Sequence, residues 1–346
     1  MSIRAEPKAA GLSRSRLRSS GVQELIALVI MLALIILVMS RGTSLFLTPR
    51  NITNLLLDTT TVSIIAVFTT MLMISRGLDL SVASTAALCG VIIGSMQQIP
   101  GLWTGVLTAL GVGALVGFIN GFLVTYIGIN PLIATLGMLS IARGLAFVIA
   151  NGLTIPVFDR TGEQTQIYEA FTQLSEGTIA GIPIPILVAV GLFVIGIVVL
   201  RYTTYGRAMY MIGDNEEAAY LAGLPVRRYR MTAYILSGLS AAVAAVFLTS
   251  RLYAADPNAA PNIELTVITA VVLGGTSLAG GQGNLVGTLL GVLVLSSLLN
   301  GMRLQSVSTE MQNIAQGLVL LLAVGIDQVR QGKIQFGLIR VFRRGR

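Results

Sequence analysis

Long apolar runs separated by short polar or glycine-rich segments make up the chain from residue 22 to residue 328. A transmembrane helix needs about 20 consecutive, mostly apolar residues, because the hydrocarbon core of a bilayer is about 30 Å thick. The pattern predicts ten spans of roughly that length, at 22–40, 52–75, 80–99, 101–127, 131–150, 184–201, 229–250, 264–280, 284–301 and 310–328. The sequence therefore predicts an all-α, polytopic membrane protein.

The composition of the chain agrees with a membrane location. Apolar residues make up 54% of the chain and charged residues 11%, and the mean hydropathy is +0.82. Such a chain cannot cover a water-soluble surface, so the lipid bilayer is a partner. Because there is no histidine and the one cysteine, Cys89, lies in an apolar run, we expect no disulfide framework, no metal site and no histidine-based catalysis.

The net charge of +8 raises nucleic acid as a partner, but the basic residues are concentrated at the chain ends and around one central polar segment. Arginine and lysine accumulate on the cytoplasmic side of membrane proteins, so we interpret them as topology signals and expect no nucleic-acid partner.

An even number of spans places both termini on one side. We expect a cytoplasmic tail at 1–20, a single transmembrane domain at 21–329 and a second cytoplasmic tail at 330–346. The loop 151–183, where acidic residues outnumber basic ones, is expected to face outward.

Both ends of a short helix are specified in the central polar segment, residues 206–226. Asp214 is a good N-cap, and Glu217 follows three residues later, as in a capping box. Gly223 suits the left-handed position after a helix, and Pro225 prevents the helix from continuing. The segment is therefore expected to form one short, capped helix.

Small side chains on this predicted helix favour docking against another protein. Ala218, Ala219 and Ala222 allow a close approach, while Glu216 and Glu217 place negative charge at the N-terminus, where the helix dipole favours it. The alternative is an amphipathic helix lying among lipid headgroups. Such helices usually carry larger apolar residues and a face rich in lysine and arginine, so we expect a docking helix.

Two halves of the chain resemble each other, which predicts an inverted repeat of spans 2–5 and 7–10. Residues 79–90 align with 264–275, acid for acid and hydroxyl for hydroxyl, and the Ser-Arg pair at 75–76 is echoed at 250–251. Glycines spaced by four residues follow in both halves, at 113, 117 and 121 and at 283, 287 and 291. A shift of five spans, an odd number, makes the two copies enter the membrane from opposite sides. The alternative is chance similarity between helices rich in small residues.

Polar residues inside the predicted spans are candidates for function, because burying them in hydrocarbon is costly. Arg143 and Glu264 both lie toward the outer face, so we expect them to form an ion pair, either as a structural link or at the mouth of a solute pathway. Four further residues could line a path for a hydroxyl-rich solute: Thr135, Ser140, Asn313 and Gln316. Hydrogen bonding between helices would explain these four equally well.

Several segments occur in the order found in the permeases of ribose/arabinose/galactose-type sugar ABC importers, which the chain resembles from about residue 22 to residue 327. They are residues 79–82, 120–121, 134–137, 143–144, 206–207, 213–219, 222–226, 237–239 and 271–281. The turn Ser75-Arg76-Gly77, which precedes Leu78-Asp79, departs from the family pattern, in which small residues and glycines are common.

The resemblance implies that a cytoplasmic coupling loop, residues 202–228, sits in a cleft on a separate ATPase subunit. The residues so assigned to ATPase coupling are Gly213, Asp214, Asn215, Glu216, Glu217, Ala218, Ala219 and Gly223. The resemblance also implies a second permease, either a copy of this chain or a paralogue, and a sugar-binding protein that is periplasmic or lipid-anchored. The implied location is the bacterial inner membrane.

The glycine-rich stretch 274–283 could be mistaken for a phosphate-binding loop, but it lacks the Lys-Ser/Thr of that motif. We therefore expect no cofactor in this chain, no enzyme activity of its own, and ATP bound by the partner ATPase.

The predicted function is that of a permease subunit that passes a monosaccharide (a pentose, hexose or related sugar) into the cytoplasm. A secondary transporter of a small polar solute is the alternative. It would normally place an acidic residue deep in a span, whereas the acidic residues at 79, 264, 310 and 327 lie near span ends.

Overall fold

The computed structural model describes residues 14–97, 101–158 and 165–330. Within them the α-helices are α1 (Arg14–Gly42), α2 (Pro49–Ile74), α3 (Val82–Met96), α4 (Leu102–Phe122), α5 (Pro131–Ile149), α6 (Thr165–Glu176), α7 (Ile184–Tyr202), α8 (Thr204–Asp214), α9 (Glu216–Leu221), α10 (Val226–Leu252), α11 (Ile263–Leu273), α12 (Leu285–Leu304) and α13 (Thr309–Arg330). A π-helical turn, Leu123–Ile127, extends α4. The strands β1 (Ile155–Pro156) and β4 (Ala254–Ala255) pair with each other, as do β2 (Thr178–Ile179) and β3 (Ile182–Pro183).

The all-α, polytopic architecture predicted from the sequence is confirmed. In the described part of the chain, eight helices are long and apolar enough to cross a membrane, and they correspond to eight of the ten predicted spans. Helix α1 begins at Arg14, within the stretch 1–20 that is predicted to be a cytoplasmic tail, and its membrane-crossing part begins at Val22. Residues 1–13 and 331–346 lie outside the described residues.

The third and eighth predicted spans are shorter than expected. Helix α3 has 15 residues and α11 has 11, or about 23 Å and 17 Å at 1.5 Å per residue, so neither alone crosses the ~30 Å hydrocarbon core. Helix α11 ends at Gly274 and Gly275, and Gly275 has a φ of +89°. The predicted bound at residue 280 was therefore wrong, because these glycines turn the chain away from the helix.

Helix α3 lies at the centre of the bundle. It is buried along almost its whole length and packs against α4, α5 and α10. Its small residues explain this position, because Ala83, Ala86, Ala87 and Gly90 let neighbouring backbones approach closely. The core of the protein is thus built around a short apolar helix without a lipid-facing side.

The bundle has two distinct ends. One, the α8–α9 side, carries α8 and α9 together with the end of α2, the start of α10 and the loop between α11 and α12. The other, the α6 side, carries α6, the paired strands β1 and β4, and the ends of α10 and α12. Helix α6 was not predicted; it docks through Tyr168 and Phe171, which are spaced by three residues and buried.

The two Ser-Arg pairs of the predicted repeat lie at opposite ends of the bundle. Arg76 contacts α8, whereas Arg251 forms an ion pair with Asp58 at 2.6 Å. Asp58 lies 16 residues before the end of α2, a separation of about 24 Å along the helix. This arrangement is the one that an inverted repeat requires.

The two glycine series of the predicted repeat are not structurally equivalent. Gly113 and Gly117 pack against the backbone of α10 around Gly238, whereas Gly287 and Gly291 pack against the end of α11. The first series thus joins the two halves, and the second joins helices of one half. This part of the sequence similarity reflects a shared need for close helix packing.

Candidate coupling site

The central polar segment forms two helices, α8 and α9, where the sequence predicted one. Asp214 is the last residue of α8, so its prediction as an N-cap was wrong. The N-cap of α9 is Asn215, which is extended (φ −150°) and whose side-chain oxygen accepts a hydrogen bond from the amide of Ala218 at 3.0 Å. Asparagine and aspartate cap helices equally well, so the choice depends on where α8 ends. We call α8 and α9 together the α8–α9 unit.

The predicted end of the short helix is confirmed. Gly223 has a φ of +82°, and its amide donates to the carbonyl of Tyr220. The amide of Leu224 donates to the carbonyl of Ala219 at 3.1 Å, which completes a Schellman motif. A left-handed glycine reverses the chain here and directs it into α10.

The alanine face of α9 is divided between the interior and the surface. Ala219 is buried and packs with Ile212 of α8 and Val226 of α10, whereas Ala218 is exposed. The prediction that Ala218, Ala219 and Ala222 share one face toward a partner was therefore wrong for Ala219, while Ala222, like Ala218, is exposed. Tyr220 and Leu221 are 70% and 78% exposed, so the free face of α9 is more apolar than the sequence analysis expected.

Arg76 joins the α8–α9 unit to the membrane helices. Its Nε donates to the carbonyl of Gly213 at 2.7 Å, and its Nη2 donates to the carbonyl of Asp214 at 2.8 Å. These carbonyls belong to the last turn of α8, where the helix dipole favours a cation. Arg76 itself follows α2 and has a φ of +64°, so the turn holds it in a left-handed conformation that is strained for an arginine.

Three backbone segments meet at this point. The amide of Gly281, in the loop between α11 and α12, donates to the carbonyl of Ile74 at 2.9 Å. A Cβ on Gly213 would collide with that carbonyl and with the amide of Gly281. Tyr210 of α8 adds a hydrogen bond to the carbonyl of Gly283 at 2.9 Å. The end of α2, the end of α8 and the α11–α12 loop therefore form one rigid junction.

An ion pair fastens α9 to α10. Arg230 contacts Glu216 through two hydrogen bonds, of 3.1 and 2.8 Å. The hydrogen bonds from Arg230 hold the pKa of the Glu216 carboxyl below its usual range, although burial opposes the shift. In the same unit, burial raises the pKa of the Tyr210 phenol, which keeps it a hydrogen-bond donor.

A buried polar cluster lies next to the junction. Asp79, in the connection between α2 and α3, accepts hydrogen bonds from the amide and hydroxyl of Ser81 at 2.9 and 2.7 Å and from the hydroxyl of Ser237 at 2.9 Å. Asn120 donates to Ser81 at 2.9 Å. Through these contacts Asp79 and Ser81 tie the start of α3 to α4 and α10.

The four predicted pathway residues do not converge. Thr135 is fully buried, and its hydroxyl donates to the carbonyl of Pro131 on its own helix at 2.8 Å. Ser140, also on α5, is exposed and donates to the carbonyl of Leu136. On α13, Gln316 is buried and Asn313 is exposed. Each helix thus turns one candidate inward and the other outward.

Arg143 and Glu264 lie near each other on the α6 side without a direct contact. The ion pairs closer than 4.0 Å in the described part of the chain do not include them. Nη1 of Arg143 donates instead to the carbonyls of Pro257 and Ala259, at 2.6 and 3.3 Å. Oε2 of Glu264 is buried and has no hydrogen-bond partner among the described residues. The two charges interact only through space.

Sequence reasoning missed three residues of this site. Arg76 was assigned to the repeat and to a departure from a family pattern but to no contact, although an arginine between two apolar helices is itself a signal of a specific partner. Tyr220 and Leu221 were passed over in favour of the alanines. Their exposure depends on which side of α9 faces α8, which the sequence of a six-residue helix does not determine.

Comparison with known proteins agrees with this architecture. The family described as a branched-chain amino acid transport system, permease component, matches residues 51–324. The L-arabinose ABC transporter permease protein AraH of Azospirillum brasilense is 41% identical over 83% of this chain and 83% of its own length. The ribose import permease protein RbsC of Bacillus subtilis is 38% identical over 91% of this chain and 96% of its own length, and that of Escherichia coli K12 is 37% identical over 89% and 94%. The chain therefore belongs to this family of multi-pass membrane permease components.

Proposed function

We propose that this protein is the permease subunit of an ATP-binding-cassette importer, and that it passes a monosaccharide into the cytoplasm while a separate subunit hydrolyses ATP. The observation that carries the proposal is the junction at Arg76, which connects the α8–α9 unit to α2 and to the α11–α12 loop. The arabinose and ribose permeases named above support a pentose, hexose or related sugar as the solute.

The positive charges support a cytoplasmic location for the α8–α9 side. Arginines cluster there, at positions 201, 207, 227, 228 and 230. Because basic residues accumulate on the cytoplasmic side, the α8–α9 unit faces the cytoplasm of a bacterial inner membrane and α6 faces outward. The start of α1 and the end of α13 then lie on the cytoplasmic side as well, which agrees with two cytoplasmic termini.

The exposed face of α9 is the proposed docking surface for the ATPase. Ala218, Tyr220 and Leu221 offer one small and two large apolar side chains on the proposed cytoplasmic side. Tyrosine is enriched among the few residues that supply most of the binding energy at protein interfaces. A movement of α9 would pass through α8 to Arg76, and from there to α2 and the adjoining α3. ATP is bound by the partner, and this chain contributes no nucleotide site.

The solute pathway is proposed to follow the exposed sides of α5 and α13. Ser140 and Asn313 lie on those sides, while Thr135 and Gln316 are buried in the bundle. Gly137 and Gly144 of α5 have open space where a Cβ would be, so this side is free to receive another helix. A second permease, either a copy of this chain or a paralogue, completes the pathway, and a periplasmic or lipid-anchored binding protein delivers the sugar to the α6 side.

Reconstitution tests the function. The chain would be placed in liposomes with an ATPase and a sugar-binding protein from the same genomic neighbourhood, and uptake of labelled ribose and L-arabinose would be measured with and without ATP. We expect ATP-dependent uptake that needs all the subunits. Uptake driven by a proton or sodium gradient with this chain alone would show a secondary transporter instead.

A further inference from the structure

A groove lies beside the α8–α9 unit, on the side of α9 that carries Glu217 and Tyr220. It encloses about 820 Å³ between the π-helical turn at the end of α4 and the first turn of α10. Val124, Tyr126 and Gly128 form one wall, and Pro225, Val226 and three arginines form the other. The groove therefore opens where two membrane-crossing helices reach the proposed cytoplasmic surface.

The groove carries cations that have no acidic partner. Arg230 is paired with Glu216, but Arg227 and Arg228 are exposed and form no ion pair with any described residue. The acid that remains at the rim is Glu217, which is also exposed. Two arginines against one glutamate leave the groove positive, so it favours an anion.

An aromatic ridge leads from the groove into the membrane-crossing part of α4. Phe118 stacks on Phe122 with ring centroids 6.3 Å apart, and Phe122 stacks on Tyr126 at 5.6 Å. All three rings are between 42% and 46% exposed. The guanidinium of Arg227 lies 5.6 Å from the ring centre of Tyr126, so the last ring of the ridge meets a cation of the groove.

We propose that this groove and ridge bind an anionic phospholipid of the inner leaflet. The phosphate and headgroup lie against Arg227 and Arg228, and one acyl chain lies along Phe118 and Phe122. Tyrosine is enriched at the depth of lipid headgroups, which is where Tyr126 joins the two parts. Arginines next to a membrane attract anionic lipids electrostatically, and this attraction is short-ranged and weakened by salt.

A lipid explains the two parts of the site together. A soluble protein such as an ATPase could meet the arginines, but it could not reach the ridge on α4, which continues toward the middle of the span. A bound lipid would also contact the side of α9 that carries Glu217 and Tyr220, because both line the groove. The site would thus make the position of α9 depend on the membrane lipid.

Native mass spectrometry of the full-length, detergent-purified and delipidated permease tests this proposal without any transport assay. The probes are phosphatidylglycerol and, as a neutral lipid, phosphatidylcholine. The double variant Arg227→Gln, Arg228→Gln should bind phosphatidylglycerol about 25-fold more weakly, because each arginine near an anionic lipid contributes about 1 kcal/mol, or about fivefold. Phosphatidylcholine binding should not change.

The matched control removes two charges from the same side of the protein. Arg201 lies over Tyr202 at the same distance, 5.6 Å, at the end of α7, and Arg207 is exposed on α8. The variant Arg201→Gln, Arg207→Gln should keep its phosphatidylglycerol binding. Phe122→Ala should weaken binding of long-chain phosphatidylglycerol more than of a short-chain form, because only the long chain reaches the ridge.

Two results would overturn the proposal. An equal loss of phosphatidylglycerol binding in both double variants would show general attraction to a basic surface. Unchanged lipid binding combined with weaker ATPase binding in the Arg227 and Arg228 variant would assign the groove to the protein partner.

Discussion

The Nε of Arg76 donates a hydrogen bond of 2.7 Å to the carbonyl of Gly213, and this contact joins a membrane-crossing helix to the α8–α9 unit. The backbone geometry restricts which residue types fit at both positions. Arg76 has a positive φ, and Gly213 has no room for a side chain. A contact that needs a strained arginine on one side and a glycine on the other is sensitive to the distance between α2 and α8. It is therefore a suitable route for transmitting movement.

The first prediction concerns a variant of Arg76 that lacks the guanidinium and adds no backbone strain. Arg76→Gly keeps the left-handed turn, because glycine adopts a positive φ freely. It loses two hydrogen bonds from a charged donor, worth about 1–2 kcal/mol at this partly exposed site, a bias that changes a two-state equilibrium about 5- to 30-fold. We expect normal insertion, persistent ATPase activity and uptake reduced by about that factor in the reconstituted complex. Arg76→Lys should be intermediate, because it keeps the charge and loses the fork of donors.

Arg207→Ala is the control for the Arg76 variants, since it removes an exposed arginine of α8 whose side chain is not part of the junction. Normal uptake by the Arg76→Gly complex would exclude the junction as the route of coupling.

A second prediction separates the two alanines of α9. Ala218→Arg places a large charged side chain on the exposed face, so the protein should fold normally but bind the ATPase weakly and transport poorly. Ala219→Arg places it among Ile212 and Val226, so the α8–α9 unit itself should lose structure. Limited proteolysis of the purified permease distinguishes the two cases. Faster cleavage at residues 214–224 is expected for the Ala219 variant only.

The two alanine positions also show what the sequence could predict. A short helix near Glu216 and its end at Gly223 follow from local chemistry, because a glycine followed two residues later by a proline is typical of a helix C-terminus. Which alanine faces inward depends on the contact of Ala219 with Ile212, which belongs to another helix. The same limit explains the error at Asp214. The side chain can cap a helix, but α8 extends through that residue.

The spans illustrate the same division. The positions of the eight helices that are long enough to cross follow from apolar length, which the bilayer imposes on any sequence. The shortness of α3 and α11 cannot be predicted from apolar length, because short apolar helices are stable only when surrounding helices cover them. The buried contact of Asp79 with Ser237 joins residues that are 158 positions apart in the chain, and nothing in the local sequence indicates it.

A third prediction concerns acid. The folded-state pKa of Glu216 is lowered by Arg230, so the ion pair stabilises the α8–α9 unit at every pH above the ordinary glutamate value of 4.5. That contribution is lost as the pH falls below 4.5 through the lowered folded-state pKa. It should amount to only about 0.5 kcal/mol, because Glu216 is largely exposed.

Hydrogen exchange of the α9 amides measures this effect. Protection in the wild-type protein, compared at each pH with Glu216→Gln, should be higher at pH 7 and should converge with that of the variant below pH 4.5. Glu217→Gln, which changes the neighbouring unpaired acid, should follow the wild-type curve. A wild-type curve that coincided with Glu216→Gln at pH 7 would show that the ion pair contributes nothing.

A fourth prediction tests the inverted repeat and the orientation together. Arg76 and Arg251 lie at opposite ends of the bundle, so cysteines at the two positions should react from opposite sides of the membrane. In a Cys89→Ala background, we expect Arg76→Cys to be labelled by a membrane-impermeant maleimide only in inside-out vesicles and Arg251→Cys only in intact spheroplasts. Labelling of both from a common side would contradict the repeat. The reverse pattern would keep the repeat and invert the proposed orientation.

The last prediction concerns Arg143 and revises the expectation of a simple ion pair with Glu264. The guanidinium donates to the carbonyls of Pro257 and Ala259, so it holds the segment between β4 and α11 against α5. Arg143→Ala should leave those carbonyls without a donor and lower the folded yield by an amount equivalent to about 1–3 kcal/mol. Glu264→Gln should cost much less, because Oε2 of Glu264 has no hydrogen-bond partner among the described residues.

The exchanged variant, Arg143→Glu with Glu264→Arg, shows whether Arg143 acts as a hydrogen-bond donor to the carbonyls or as an ion-pair partner of Glu264. A carboxylate cannot donate to carbonyl groups, so the exchange should recover nothing, and the yield should stay at or below that of Arg143→Ala. Partial recovery would mean that the two charges act as a pair in the membrane, since residues that interact directly give non-additive losses. A normal folded yield with poor uptake in Arg143→Ala would instead place the guanidinium on the solute pathway. Folded yield and uptake measured side by side for the three variants separate all of these outcomes.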